Sequence, residues 1–259
     1  MDGIEAFILG LVQGITEFLP ISSTGHLYLG RHLFGLDEAG LFLDTMLHLG
    51  TLVAILIFYK DVWVSILRRP FSRMTGLLLI GTIPAVIFGL LFKDYFEAIS
   101  KTGVTIGWEF LFTGALLWFA DNIKGGYKKT QDISMPDALI IGCFQAAAIF
   151  PAISRSGATI AASLMRKLDR ETAAYFSFLL STPAVAGAVL LQCVDLFKGT
   201  TDQVTALPLL IATISAAIFG YLAIHWMIDF VKRRTLKGFA VYVWILGAFI
   251  IVAQWTGIF

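Results

Sequence analysis

Apolar residues run through this chain in blocks of similar length. The segments at about 42–59, 76–92, 106–120, 173–191, 208–227 and 239–256 hold few charges. Each is close to the roughly 20 residues that a helix needs to cross a bilayer. Two further stretches, 4–34 and 138–165, are apolar but interrupted, the first by PISSTG at 20–25 and the second by PAISRSG at 151–157. At about 30 residues each, they are too short for two full crossings. The pattern therefore predicts two helix–loop–helix hairpins, each entering and leaving on one side. Irregular backbone at that depth is stable only where protein or water buries it.

The two hairpins share a pattern. Residues 10–25 (GLVQGITEFLPISSTG) and 142–157 (GCFQAAAIFPAISRSG) superpose Gly10, Gln13, Ile21, Ser22 and Gly25 on Gly142, Gln145, Ile153, Ser154 and Gly157 without a gap. The match continues at nearly the same offset: Ile80–Leu91 and Ile211–Leu222 agree at eight of twelve positions. The chain thus reads as one membrane domain, 1–259, made of two halves, about 1–126 and 127–259. Each half is a re-entrant hairpin followed by three spanning helices. Three is odd, so the second half should be inverted relative to the first, as in many transporters whose site lies near the midplane.

Composition narrows the class. The chain is 58% hydrophobic and 14% charged, against about 25% charged in soluble domains, and its mean hydropathy is +0.82. An all-α polytopic membrane protein follows. A net charge of +1 gives no reason to expect nucleic acid. Cys143 and Cys193 lie in apolar surroundings without metal or disulfide spacing and are expected to be buried and inert. The N-terminus lacks the basic stretch of a signal peptide, so no cleavage is expected. Of the Lys and Arg residues, fourteen fall in the segments 60–75, 121–137, 166–172 and 228–238. Three, Lys93, Lys101 and Lys198, fall on the other side, and Arg31 and Arg155 lie in the hairpins. The positive-inside rule puts the fourteen in the cytoplasm. The first hairpin then enters from outside and the second from inside.

The hairpins also hold the chemistry. Gln13 and Glu17, four apart, share a helix face. That face leads into Ser22, Ser23, Thr24 and His26. Ser154, Arg155 and Ser156 repeat the device from the opposite direction, with Thr159 one turn on. Hydroxyl residues at these breaks can cap the following half-helices, whose N-termini offer free N–H groups and partial positive charge. Two such termini meeting at the midplane suit an anion, phosphate above all, and Arg155 adds a fork of donors. Anion binding alone gains nothing from Glu17. A carboxylate beside Ser, His and Arg suits phosphoryl chemistry, in which Glu17 holds a divalent cation or orients a nucleophile. Ser23 or a water would attack, His26 would act as acid or base, and Arg155 would stabilise the transferred phosphoryl. Taken singly, the serines are also ordinary caps and His26 a satisfied buried histidine. Thr16 is expected to bond its own helix backbone. Asp44 and His48, four apart, line the same cavity or pair with each other, and His225 is structural.

These motifs resemble a known family. QGITEFLPISSTGH at 13–26 and PAISRSGAT at 151–159 closely resemble the two signatures of the undecaprenyl-diphosphate phosphatase (bacitracin-resistance) family. Residues 48–54, 83–85 and 176–180 resemble further segments of it. The resemblance implies a bacterial inner-membrane enzyme that releases the terminal phosphate of undecaprenyl diphosphate, recycling the carrier lipid of peptidoglycan synthesis and conferring bacitracin resistance. It implies a dependence on a divalent cation, Mg²⁺ or Ca²⁺, and a cleft open to the outside. By motif, Glu17, Ser22, Ser23, Thr24 and His26 match the first signature, and Ser154, Arg155, Ser156 and Thr159 the second. Together with the chemistry above, the expectation is catalysis by Glu17, Ser23, His26 and Arg155, and diphosphate binding by Gln13, Ser22, Thr24, Ser154, Ser156 and Thr159. Two positions depart from the pattern: Gln13 stands where many members carry a second Glu, and Ala152 where Gly is usual. The rival is a carrier that flips polyprenyl phosphate, which the repeat architecture alone would favour. A binding-only receptor is the third reading. Small residues such as Gly81, Gly89 and Gly220 permit close helix packing within or between chains, which leaves a homodimer open.

Overall fold

The computed structural model describes residues 1–36, 40–197 and 206–257. Among them every regular element is helical, and the only β pairing is an isolated bridge between Lys128 and Leu168. Lys198 lies outside the described residues, and so do the side chains of Lys93, Lys101 and Cys193.

Helix α1 (Gly3–Phe18) starts at a reciprocal cap: Asp2 accepts from the N–H groups of Ile4 and Glu5, and Glu5 accepts from the N–H of Asp2. It stops at Leu19, whose extended backbone is what a following proline favours. Helix α2 (Ser23–Leu33) returns from the break. The second hairpin is α8 (Met135–Ala147) and α9 (Arg155–Met165). Ser134 and Asp137 form its opening capping box. Both predicted interruptions are therefore real breaks between paired helices.

The predicted spans appear as α3 (Gly40–Phe58), α5 (Arg73–Leu91), α7 (Ile106–Asp121), α10 (Arg170–Phe197), α11 (Ala206–Arg233) and α12 (Lys237–Trp255). By length and composition α5, α10, α11 and α12 are each sufficient to cross a membrane. α7, at 16 residues, is shorter. Two segments read as connections are helical instead: α4 (Lys60–Arg68) and α6 (Lys93–Thr102). α4 folds away from α3 by 79°. Its sequence, KDVWVSILR, alternates charge with Trp63, Val64, Ile66 and Leu67, a pattern suited to lying at a membrane interface.

Packing exchanges elements between the halves. α1 packs on α11, and α8, its counterpart, packs on α5, the counterpart of α11. Glycines set both contacts. A Cβ on Gly10 would lie 2.4 Å from the carbonyl oxygen of Ala212, and one on Gly142 would lie 2.2 Å from that of Gly81. Those four residues correspond pairwise in the two halves. Gly220 likewise approaches Gly14 at backbone distance. Gly81 and Gly220 thus serve contacts within the chain, whereas Gly89 has only a loose neighbour, Ile149, at 3.9 Å. Large apolar side chains on α5, α11 and α12, among them Leu79, Ile87, Leu222, Ile245 and Phe249, face outward, as lipid-facing positions do. Cys143 also faces outward, contrary to the expectation of a buried thiol, because its helix turns Gly142 and not Cys143 onto α5.

Candidate active site

The breaks of the two hairpins meet in the interior. Ser22, the N-cap of α2, donates its hydroxyl to the carbonyl of Pro151, and Ser156 donates to the carbonyl of Leu19, at 3.0 and 2.9 Å. Each loop thus holds the other's backbone. Ser22 sits at φ 67°, a left-handed conformation that costs a non-glycine residue free energy. Its side chain still accepts from the Gly25 N–H, while Ser154 accepts from the Gly157 N–H in α9. Gly25 is needed here, since a Cβ would meet the Phe110 ring at 2.6 Å.

At this junction lies a cavity of about 220 Å³ lined by Thr16, Glu17, Ser22, Ser23, Thr24, His48, Ser154, Arg155 and Ser156, with Ile149, Phe150, Ala184, Val185 and Ala188 on its apolar wall. Glu17 is the carboxylate among these lining residues. Oε1 accepts from Arg155 Nη2 at 2.6 Å, and Oε2 accepts from Ser23 Oγ at 2.5 Å and from Gln13 Nε2 at 3.0 Å. His48 Nε2 stands 3.7 Å from Oε2, and its Nδ1 is bonded to the backbone carbonyl of Asp44 at 2.7 Å, which fixes the ring. Arg155 Nη1 is buried without a protein partner. A guanidinium with donors to spare, two capped helix N-termini and several hydroxyls make an anion site beside an acid.

The sequence-predicted residues divide into two groups. Glu17, Ser22, Ser23, Thr24, Ser154, Arg155 and Ser156 line the cavity. Gln13 and Thr159 stand behind it: Gln13 braces Glu17, and Thr159 bonds the carbonyl of Arg155 at 2.8 Å and Ser177 Oγ at 2.6 Å. His26 is not brought to Glu17. Its Nδ1 is bonded to the Ser22 carbonyl at 2.6 Å, and its Nε2 to Tyr242 Oη on α12 at 2.7 Å. One turn into α2, its ring stacks on Tyr242 and edges Phe110, outside the cavity lining. His48 occupies the place beside the acid. Asp44 pairs with Arg31 at 2.6 Å and not with the His48 ring. Thr16 bonds the Val12 carbonyl, as expected, while also lining the cavity.

Two residues that sequence reasoning passed over matter here. Glu109 and Thr113 on α7 bond the second loop. A lone carboxylate in an apolar span is the signal that singled out Glu17, and it applies equally to Glu109. As for a metal, the described residues contain no group of three His, Cys, Asp or Glu. Glu17 is the one carboxylate among the residues lining the cavity, and the unpartnered Gln13 Oε1 lies behind it.

A family model described as bacitracin resistance protein BacA matches residues 6–249. Undecaprenyl-diphosphatase 3 of Bacillus cereus is 64% identical over 259 residues, all of both chains. The undecaprenyl-diphosphatases of Carboxydothermus hydrogenoformans and Methanobrevibacter smithii are 43% and 36% identical, again over the full length of both.

Proposed function

The chain belongs to the bacitracin resistance protein BacA family, and from that we propose that it is an integral membrane phosphatase acting on undecaprenyl diphosphate. The products are undecaprenyl phosphate and inorganic phosphate. The observation that carries the reading is the Glu17–Ser23–Arg155 cluster: a hydroxyl hydrogen-bonded to a buried carboxylate, beside a guanidinium with a free donor. Its relatives' names supply the substrate. This polyprenyl carrier recycling would account for peptidoglycan supply and for resistance to bacitracin.

In this reading the terminal phosphate enters between the two loops, with its oxygens on Arg155 Nη1 and the Thr24 hydroxyl, while Ser22, Ser154 and Ser156 hold the loops around it through the bonds they already make. Ser23 Oγ attacks phosphorus and passes its proton to Glu17. The bond to the bridging oxygen breaks, and its electrons leave with the lipid monophosphate. Water then attacks the phosphoryl group, the bond from Ser23 Oγ to phosphorus breaks, Glu17 returns its proton to Ser23, and the protons of the water leave with inorganic phosphate. Arg155 stabilises charge on the phosphoryl oxygens in both steps. His26, with both ring nitrogens bonded outside the cavity, holds α2 against α12 and does not transfer the proton. A divalent cation would be held by Glu17 together with the substrate phosphates, and would supply neutralisation of the diphosphate. The apolar wall at Ala184, Val185 and Ala188 is where the prenyl chain would leave the site.

The exchanged packing of α1 on α11 and α8 on α5 supports an inverted repeat. By the positive-inside rule the fourteen basic residues of the segments 60–75, 121–137, 166–172 and 228–238 would be cytoplasmic, which supports an inner (plasma) membrane protein whose site opens outward. The same architecture favours a lipid carrier, and one assay separates the two. Purified protein with Mg²⁺ or Ca²⁺ should release phosphate from a long-chain prenyl diphosphate, and Glu17→Ala and Arg155→Ala should abolish release. A parent protein that moves prenyl phosphate across vesicles but releases none would favour the carrier.

A further inference from the structure

Glu109, in the first turn of α7, is buried, 7% exposed, and the catalytic cluster does not use it. A leucine would fill the same volume without the desolvation cost that a carboxylate carries in a membrane interior. Its Oε2 accepts from the N–H of Ala152 at 2.5 Å, and its Oε1 has no hydrogen-bond partner. One turn on, Thr113 works on the same loop. Its hydroxyl donates to the Ala152 carbonyl at 3.2 Å and accepts from the Ser154 N–H at 3.1 Å. Glu109 and Thr113 therefore grip three backbone groups within the three residues that precede Arg155. Between them Phe110 packs against Gly25 and the His26 ring, in the other hairpin. α7 contributes no side chain to the cavity lining, yet it touches both loops that form it.

We infer that Glu109 and Thr113 are positioning residues: they fix the 152–154 backbone and so set where the Arg155 guanidinium points. This rests on the phosphatase reading, in which Arg155 bears on the transferred phosphoryl. Ser154 caps α9 and Arg155 is its first residue, so a shift of the loop moves the guanidinium directly. A displacement on the order of 1 Å at a catalytic group can cost about 100-fold in rate. The role needs a hydrogen-bond acceptor at residue 109 and not a negative charge. Glutamine provides the acceptor and leucine does not.

The test is steady-state phosphate release from a prenyl diphosphate by Glu109→Leu, Glu109→Gln, Thr113→Val, Thr113→Ser and Arg155→Ala, each checked for thermal stability in detergent. Glu109→Leu should lose about 10- to 100-fold in kcat with KM changed less than about threefold, and Glu109→Gln should return to within about threefold of the parent. Thr113→Val and Thr113→Ser should repeat that contrast, and they decide the matter if Glu109→Leu fails to fold. Parental kcat in both Glu109→Leu and Thr113→Val, or a Glu109→Gln enzyme as slow as Glu109→Leu, overturns the inference. Arg155→Ala separates the two levels. If it is inactive while Glu109→Leu is normal, only the positioning role fails; if it is fully active, the phosphatase site itself is misassigned.

Discussion

Replacing Arg155 by alanine separates what the Glu17–Arg155 pair does for stability from what it does for turnover. The two groups meet at 2.6 Å, with side chains only 17% and 5% exposed. At an effective dielectric of about 20 their attraction is roughly 6 kcal/mol. Desolvation of both ions offsets most of that, so the pair as a whole adds little to stability. The single substitution behaves differently, because it leaves Glu17 buried and uncompensated, at a cost of about 3–5 kcal/mol. In Glu17→Gln/Arg155→Ala there is no orphaned charge, and most of that loss should return. Turnover should not return, since the donors to the phosphoryl group are still missing, and their loss is worth about 100- to 1000-fold. Thermal unfolding in detergent and phosphate release from a prenyl diphosphate measure the two quantities side by side. A double variant no more stable than Arg155→Ala would refute the orphaned-charge argument. A double variant with parental turnover would refute the role of the cluster.

Other outcomes follow from the same geometry. Ser23→Ala should reduce phosphate release at least about 1000-fold, as removal of an attacking hydroxyl does, and should cost about 1.5–3 kcal/mol in thermal unfolding because Glu17 loses a donor. Tyr242→Phe removes the partner of His26 Nε2; it should cost about 1 kcal/mol of stability and leave the pH profile of kcat unchanged, whereas a shifted profile would return His26 to the proton-transfer path. Gly142→Ala and Gly10→Ala drive a Cβ into backbone carbonyls at 2.2 and 2.4 Å and should destabilise by about 2 kcal/mol or more in thermal unfolding. Gly187→Ala, with open space around it, should be neutral or slightly stabilising. Burial pushes the Asp169 carboxyl up, but the Lys129 ammonium and the Thr172 N–H overcome it and hold its pKa below the ordinary 3.8. A depressed carboxylate stabilises the fold above its ordinary value and loses that contribution as pH falls through its folded-state value. Asp169→Asn should therefore be less stable than the parent at neutral pH, and the gap should close below about pH 3.8.

How much of this was legible in the sequence depends on the range of the interaction. The hairpin breaks were visible because Pro20, Pro151 and the hydroxyl runs after them act on their own backbone, and the structure breaks there. The meeting of Glu17 with Arg155 could be argued from the repeat, because the two matched hairpins carry their polar breaks at corresponding positions, and those breaks do meet. The histidines could not be sorted that way. His26 is adjacent to the serine motif in sequence, but 100° of rotation per residue on α2 carries its ring away from Glu17 and onto α12, a helix more than 200 residues downstream. His48 lies 31 residues beyond Glu17 and reaches it only because α3 packs beside α1. Nor could the sequence show that α7 grips the second loop, since Glu109 and Ala152 meet only through tertiary packing. α4 and α6 were missed for a different reason: the window that detects spans passes over short amphipathic helices as charged connections. Local chemistry is thus readable wherever backbone rules dominate, and wherever a symmetry relates distant parts. What stays hidden is the set of contacts that break the symmetry. Glu17 corresponds to Ile149 in the second half, and Arg155 to Ser23 in the first. The site is therefore a single asymmetric centre built at the junction of two similar halves, and its acid, its hydroxyl and its guanidinium are all departures from the repeat. What argues for chemistry over carriage is the content of that centre: an attack on phosphorus uses a carboxylate hydrogen-bonded to a hydroxyl, whereas carriage of an anion gains nothing from a buried carboxylate beside it.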